Sequence, residues 1–146
     1  MKSLVIYYSQ FGNTQVLAER IARQLGEDSR AISIESFDMS YLKGVKLLII
    51  GSPIRGWMPA EKIQIFLNSL KTGELKGVKA ASFDTRVKLF IHGDAAAKIS
   101  KKLEEAGAEI IIKPQAFYVK GQSGPLFPGE IEKAKAWADM IKINLK

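Results

Sequence analysis

The sequence predicts an α/β fold, a doubly wound parallel sheet of five strands with helices on both faces. Two observations carry that expectation. Short apolar runs rich in β-branched and aromatic residues alternate with stretches whose apolar residues recur every three or four positions. The runs are apolar throughout rather than at every second residue, as in strands buried on both faces, and parallel strands of that kind are joined by right-handed helical crossovers. A length of 146 residues, 47% of them apolar, suits one domain over residues 1–146 with a core that needs no covalent staple.

"LVIYY" (4–8) is the first buried strand; Leu17, Ile21 and Leu25, with Ala18 and Ala22 beside them, mark the buried stripe of a helix over 14–25. "AISIES" (31–36) reads as a strand, followed by a weak segment over 37–43, and "VKLLIIG" (45–51) as the third strand. Pro59 stands at the expected first position of a helix whose stripe is Ile63, Phe66, Leu67 and Leu70. "VKAASF" (78–83) is the fourth strand, Asp94 is placed to cap a helix carrying Ile99 and Leu103, and Gly107 ends it. "EIII" (109–112) is the fifth strand, interrupted by Pro114 and resumed by "AFYV" (116–119). Pro128 opens a closing helix with Ile131, Ala134, Trp137, Ala138 and Ile141 on its buried side.

The chain has no cysteine, which excludes disulfides, thiolate metal sites and thiol redox chemistry, and its one histidine argues against a histidine metal site. Any redox chemistry must come from a cofactor. The net charge is +7, from 22 Lys and Arg against 15 Asp and Glu. Segments such as "KISKKLEEAGAE" mix both signs, and no run of five like charges with interleaved aromatics occurs. A solvated surface is expected rather than a nucleic-acid partner. No apolar stretch approaches the ~18–20 residues of a membrane span, and Met1, Lys2 and Ser3 run straight into the first strand without a leader. A cytoplasmic protein is the expectation.

In a doubly wound sheet, ligands bind beyond the carboxyl ends of the strands where the strand order reverses. The loops after the first, third and fourth strands are therefore where a site is expected. The first holds Ser9, Gln10, Phe11, Gly12, Asn13 and Thr14. The helix that follows offers unpaired N–H groups and the positive end of its dipole; Ser9, Asn13 and Thr14 add side-chain donors, and Gly12 permits close backbone approach. The lysine of the Walker loop is missing, and so is the G-x-G-x-x-G dinucleotide turn. On the residues alone the loop is either an anion cradle or an ordinary capped turn.

"YYSQFGNTQVLAERIA" resembles the first strand, phosphate loop and first helix of flavodoxins, whose loop runs hydroxyl residue, any, any, Gly, any, Thr. "LLIIGSPIRGW" is similar to their third strand and first flavin loop, and "AASFDTR" to their fourth strand and second flavin loop. "GPLFPGEIEKAKAWADMI" resembles the closing helix of the short, single-domain members. The resemblance covers nearly the whole chain and implies strand order 2-1-3-4-5 with FMN as cofactor. It puts the 5′-phosphate on Ser9, Gln10, Phe11, Gly12, Asn13 and Thr14. Pro53, Ile54, Arg55, Gly56 and Trp57 would line one edge of the isoalloxazine, and Asp84, Thr85 and Arg86 the other. It also implies that the Gly56 peptide can turn its carbonyl to the N5 proton of reduced flavin, a turn that glycine permits without steric penalty.

Many flavodoxins carry an aromatic just before the glycine of the loop after the third strand, whereas here Arg55 precedes Gly56 and Trp57 follows it. Trp57 either covers the flavin ring or caps the core beside Pro59. The next loop lacks the tyrosine that often stacks on the second face; its Val87, Leu89 and Ile91 read as a flap. His92, beside a glycine, reads as structural and stays outside the expected site, while Tyr7 and Tyr8 read as core.

The function implied is an electron-transfer flavoprotein cycling FMN between oxidised, semiquinone and hydroquinone states. The alternative is an FMN-dependent oxidoreductase, because "SPIRGWMP" slightly resembles the loop of flavodoxin-type quinone reductases and protoporphyrinogen oxidases. A phospho-receiver is excluded: its acidic pair and phospho-accepting Asp are replaced by Tyr7-Tyr8-Ser9 and Gly51-Ser52. Flavodoxins are commonly acidic and dock on basic reductases. This chain is basic, so an acidic redox partner is expected.

Overall fold

The computed structural model describes residues 1–88 and 93–146; Leu89 and Ile91 of the expected flap, and His92, lie outside them. The strands are β1 (Ser3–Tyr7), β2 (Ser29–Ser33), β3 (Leu47–Arg55), β4 (Met58–Pro59), β5 (Lys79–Val87), β6 (Glu109–Ile110) and β7 (Gln115–Val119). The helices are α1 (Asn13–Leu25), α2 (Glu61–Ser69), α3 (Ala95–Glu105) and α4 (Glu130–Asn144). The sheet runs β2-β1-β3-β5-β6, with β7 also on β5 and the short antiparallel β4 on β3. The other pairings are parallel. The sheet is therefore doubly wound in the order 2-1-3-4-5, its fifth strand being β6 and β7 in succession.

The apolar runs follow from burial on both faces. Successive residues of a strand point to opposite sides. Leu4, Ile6, Leu48 and Ile50 join α2 and α3 through Ile63, Phe66, Ile99 and Leu103. Their neighbours Val5, Tyr7, Leu47 and Ile49 join α1 and α4 through Leu17, Ile21, Trp137 and Ile141. No helix among the described residues is long and apolar enough to cross a membrane.

Several boundaries differ from the sequence expectation. β2 ends at Ser33, whose hydroxyl accepts from Glu35 N (3.2 Å) and starts a single 3₁₀ turn over Ile34–Ser36. Pro59 pairs with Ile54 in an antiparallel hairpin instead of opening α2. That helix begins at Glu61 after Ser52 Oγ has taken the Ala60 N–H at 2.8 Å. α4 likewise begins two residues beyond Pro128, with left-handed Gly129 (φ 90°) as its N-cap. The fifth strand is cut after Ile110 and taken up again only at Gln115, because Pro114 has no N–H for the ladder. Most consequentially, β3 and β5 run on to Arg55 and Val87, four residues past their expected ends.

Candidate functional site

At the carboxyl end of β1 the chain turns through residues 8–12 into α1. Gly12 is left-handed (φ 95°), its N–H donates to Ser9 Oγ at 3.1 Å, and its carbonyl accepts from Val16 N at 3.1 Å. Among the described residues nothing lies within 4 Å of where a Gly12 Cβ would stand. Among the described residues no side chain caps α1, and no acidic residue sits in its first turn, so that turn offers N–H groups and the positive end of its dipole. Beneath them Thr14 Oγ1 and Thr85 Oγ1 share a buried hydrogen bond of 3.0 Å, tying the loop to β5.

On the neighbouring edge, β3 and β4 form a two-residue hairpin in which both Gly56 (φ 54°) and Trp57 (φ 73°) are left-handed. A primed turn demands positive φ at both central positions, which glycine meets freely and a bulky residue does not. Trp57 is 53% exposed, so its ring does not cap the core. The hairpin packs against residue 93, where a Cβ would stand 2.8 Å from Trp57 Cα. Arg55 reaches from it to the first loop: its Nη2 donates to Gln10 Oε1, and its guanidinium lies 5.9 Å from the Phe11 ring centroid. No carboxylate among the described residues pairs with it.

The third wall comes from β5, where the extra length decides which side chains face the site. Ser82 and Asp84 point to α3: Ser82 Oγ donates to Ala96 O (2.7 Å) and Asp84 Oδ2 accepts from Ala96 N (2.9 Å). Phe83 and Thr85 point to the other face, towards Trp137 and Thr14. Asp84 is fully buried and holds Arg86 by two bonds of 2.8 and 2.6 Å, while Asp94 takes a third at 3.0 Å. The hydrogen bond to Asp84 raises the Arg86 guanidinium above its already high ordinary value, against the opposing effect of burial. Its charge is locally neutralised.

These loops enclose an open cavity of ≈ 580 Å³, and every site residue expected from the sequence faces it except Gly12 and Asp84. Gly12 shapes the loop through its backbone, and Asp84 stands behind the wall as the anchor of Arg86. The sequence reading missed a fourth wall, Val119, Lys120, Gly121 and Gln122, which follows β7. This segment folds back through Lys120 N→Pro125 O (2.8 Å) and meets the first loop where a Gly124 Cβ would stand 2.6 Å from the Asn13 side chain. The break at Pro114 hid β7's alignment with the end of β5, and with it this wall. No carboxylate lines the cavity among the described residues.

A family model described as Flavodoxin matches residues 5–141. The chain belongs to the flavodoxin family. That membership supports FMN-binding electron transfer as the general role. Solved flavodoxins share the fold: oxidised Flavodoxin 1 from Bacillus cereus superposes with a TM-score of 0.83 at 23% identity, over 100% of both chains. Flavodoxin 2 from the same organism gives 0.81 at 25% identity, over 98% of this chain and 99% of that one. The rubredoxin oxygen:oxidoreductase of Desulfovibrio gigas gives 0.74 at 17% identity, over 99% of this chain and 37% of that protein.

Proposed function

We propose that this flavodoxin-family chain binds FMN in the cavity at the end of β1, β3 and β5 and passes electrons one at a time to a protein partner. The observation that carries this reading is the uncapped first turn of α1, ringed by Ser9, Asn13 and Thr14 and free of acidic residues. A phosphate group gains backbone N–H bonds, hydroxyl bonds and the helix dipole there. The remaining lining, with Pro53, Ile54, Trp57, Val87 and Val119, is apolar enough for a planar heteroaromatic ring, and the volume lies in the range of cofactor pockets. The residues present therefore fit FMN.

When bound, the flavin supplies the reversible electron chemistry; the chain supplies binding, shielding and charge. The Thr14 hydroxyl is held in place by its hydrogen bond with Thr85 Oγ1, and it donates to the phosphate when Thr85 is the donor of that pair. Arg55, beside the Phe11 ring and bonded to Gln10, ties the loop after β3 to the loop after β1 at the cavity wall. The Gly56 carbonyl, in the hairpin, would accept a hydrogen bond from N5–H of the reduced flavin, a peptide orientation that glycine allows. Net charge +7 supports an acidic redox partner, with association that slows as salt rises. A second reading, an FMN-dependent oxidoreductase acting on a quinone or protoporphyrinogen, draws support from the carboxylate-free lining, because a positive site favours the electron-rich form of a cofactor and so a milder reductant.

Titration with FMN and with riboflavin, followed by flavin fluorescence, tests the site. Asn13→Ala combined with Thr14→Ala is expected to weaken FMN by about 1.5–3 kcal/mol for each bond lost to the charged phosphate, and riboflavin far less. Unchanged FMN affinity removes the phosphate assignment. Turnover of a quinone with a nicotinamide donor, without added reductase, decides for the second reading.

A further inference from the structure

We propose that Lys88 and Lys120 form the docking site for an acidic electron-transfer protein, beside the cavity on its β5–β7 side; the inference rests on the reading that this chain passes electrons to a protein. Lys120 lines the cavity, and Lys88 follows Val87, which also lines it. Both side chains converge on one aromatic platform. Lys88 Nζ lies 4.4 Å from the Phe127 ring centroid and 5.4 Å from that of Tyr118, and Lys120 Nζ lies 5.9 Å from Phe127. Both lysines are exposed, and neither makes an ion pair with a carboxylate among the described residues. The four residues outside that description, 89–92, include no Asp or Glu. The neighbouring Lys133 differs: it lies over Tyr118 at 4.9 Å, but Glu130 neutralises it at 2.8 Å.

Two uncompensated cations thus stand on rings that limit their rotamers, which lowers the entropy cost of meeting a partner's carboxylates. Elsewhere on the same cavity, Phe11 and Trp57 are half exposed, and Arg55 adds a third cation that has no carboxylate partner among the described residues. Apolar area inside a charged border is the anatomy of a protein-docking face. A groove that tracks a nucleic-acid backbone needs a longer basic stripe than this cluster provides.

The test compares two charge reversals of equal size in the FMN-loaded protein, with an oxidised acidic [2Fe–2S] ferredoxin as probe and nuclear magnetic resonance as readout. Lys88→Glu with Lys120→Glu reverses the proposed site. Lys71→Glu with Lys76→Glu reverses exposed lysines before β5, at the opposite end of the sheet. The expected result is amide shifts at 86–88, 118–122 and 127, about tenfold weaker binding in the first variant, and less than about twofold in the second. Equal weakening by both pairs, shifts that avoid these residues, or tighter binding of a single-stranded DNA oligomer at the same salt overturns the proposal. Flavin absorbance of each sample, and repetition on flavin-free protein, separates failure of docking from failure of FMN binding.

Discussion

Asp84, 0% exposed, grips the guanidinium of Arg86 with both carboxylate oxygens, at 2.8 and 2.6 Å. The same carboxylate accepts the Ala96 N–H, so one buried charge fixes both the cavity wall and the start of α3. Removing one partner of a buried pair strands the other. Because Asp94 still reaches Arg86, we expect Asp84→Asn to cost about 3 kcal/mol, the lower end for such losses. Urea unfolding measures it, and a loss below about 1 kcal/mol sinks the idea. The guanidinium's affinity for its proton is raised, so its share of stability is present below its ordinary range and lost only above the still higher folded value. The difference between wild type and variant is therefore expected to hold constant between about pH 6 and 10.

Trp57 keeps a left-handed backbone (φ 73°) with its ring half in solvent. A non-glycine residue there costs about 1–2 kcal/mol, and strain of this kind persists at functional sites. Asparagine tolerates the conformation. Trp57→Asn is expected to leave thermal stability unchanged or raise it, while FMN binding weakens about tenfold through the lost ring. A large fall in melting temperature with FMN affinity intact would make Trp57 a packing residue instead.

The first loop was legible because its chemistry is local: strand, glycine, hydroxyls and helix stand within a dozen residues. The sheet order was legible through the family pattern and through runs such as Leu47–Ile50, whose alternate residues fill both cores. Asp84 was harder to read. Its place depends on β5 running past Phe83, for then strand alternation turns Asp84 to α3 and Thr85 to Thr14. The fourth wall was out of reach for a similar reason. Lys120 and Gly121 carry no motif, and they meet the cavity only because β7 pairs with Phe83–Val87 and the bridge Val119–Leu126 folds the chain back.

Tyr7 closes β1 and is 7% exposed; burial, and to a lesser degree the charge of Glu19, raises its phenol above the ordinary value of 10.0. For a group raised in the folded state, the stabilising contribution is full below the unfolded value and disappears as pH climbs through the folded one. Wild type is therefore expected to lose stability above about pH 10 more steeply than Tyr7→Phe. Urea midpoints at pH 8, 10 and 11 compare the two slopes. Parallel curves would mean that the phenol ionises without hindrance.

The arginines at the cavity divide the electrostatic work unequally. Arg86 is offset by Asp84 and Asp94, whereas Arg55, among the described residues, meets the neutral Gln10 amide and the Phe11 ring and no carboxylate. A unit charge about 7 Å from developing negative charge, at an effective dielectric of about 20, is worth about 2–3 kcal/mol before screening. Solvent around the half-open mouth leaves a fraction of that, on the order of tens of millivolts for one electron. In FMN-loaded protein, Arg55→Gln is expected to lower the more negative of the two one-electron potentials, and Lys71→Gln, at the far end of the sheet, to leave it in place. Arg86→Gln is expected to act mainly on stability, since it unpairs the buried Asp84. Redox titration of the three variants beside wild type decides: if Arg55→Gln shifts the potential no more than Lys71→Gln does, the Arg55 hairpin does not border the flavin, and the milder, quinone-linked reading loses its electrostatic basis.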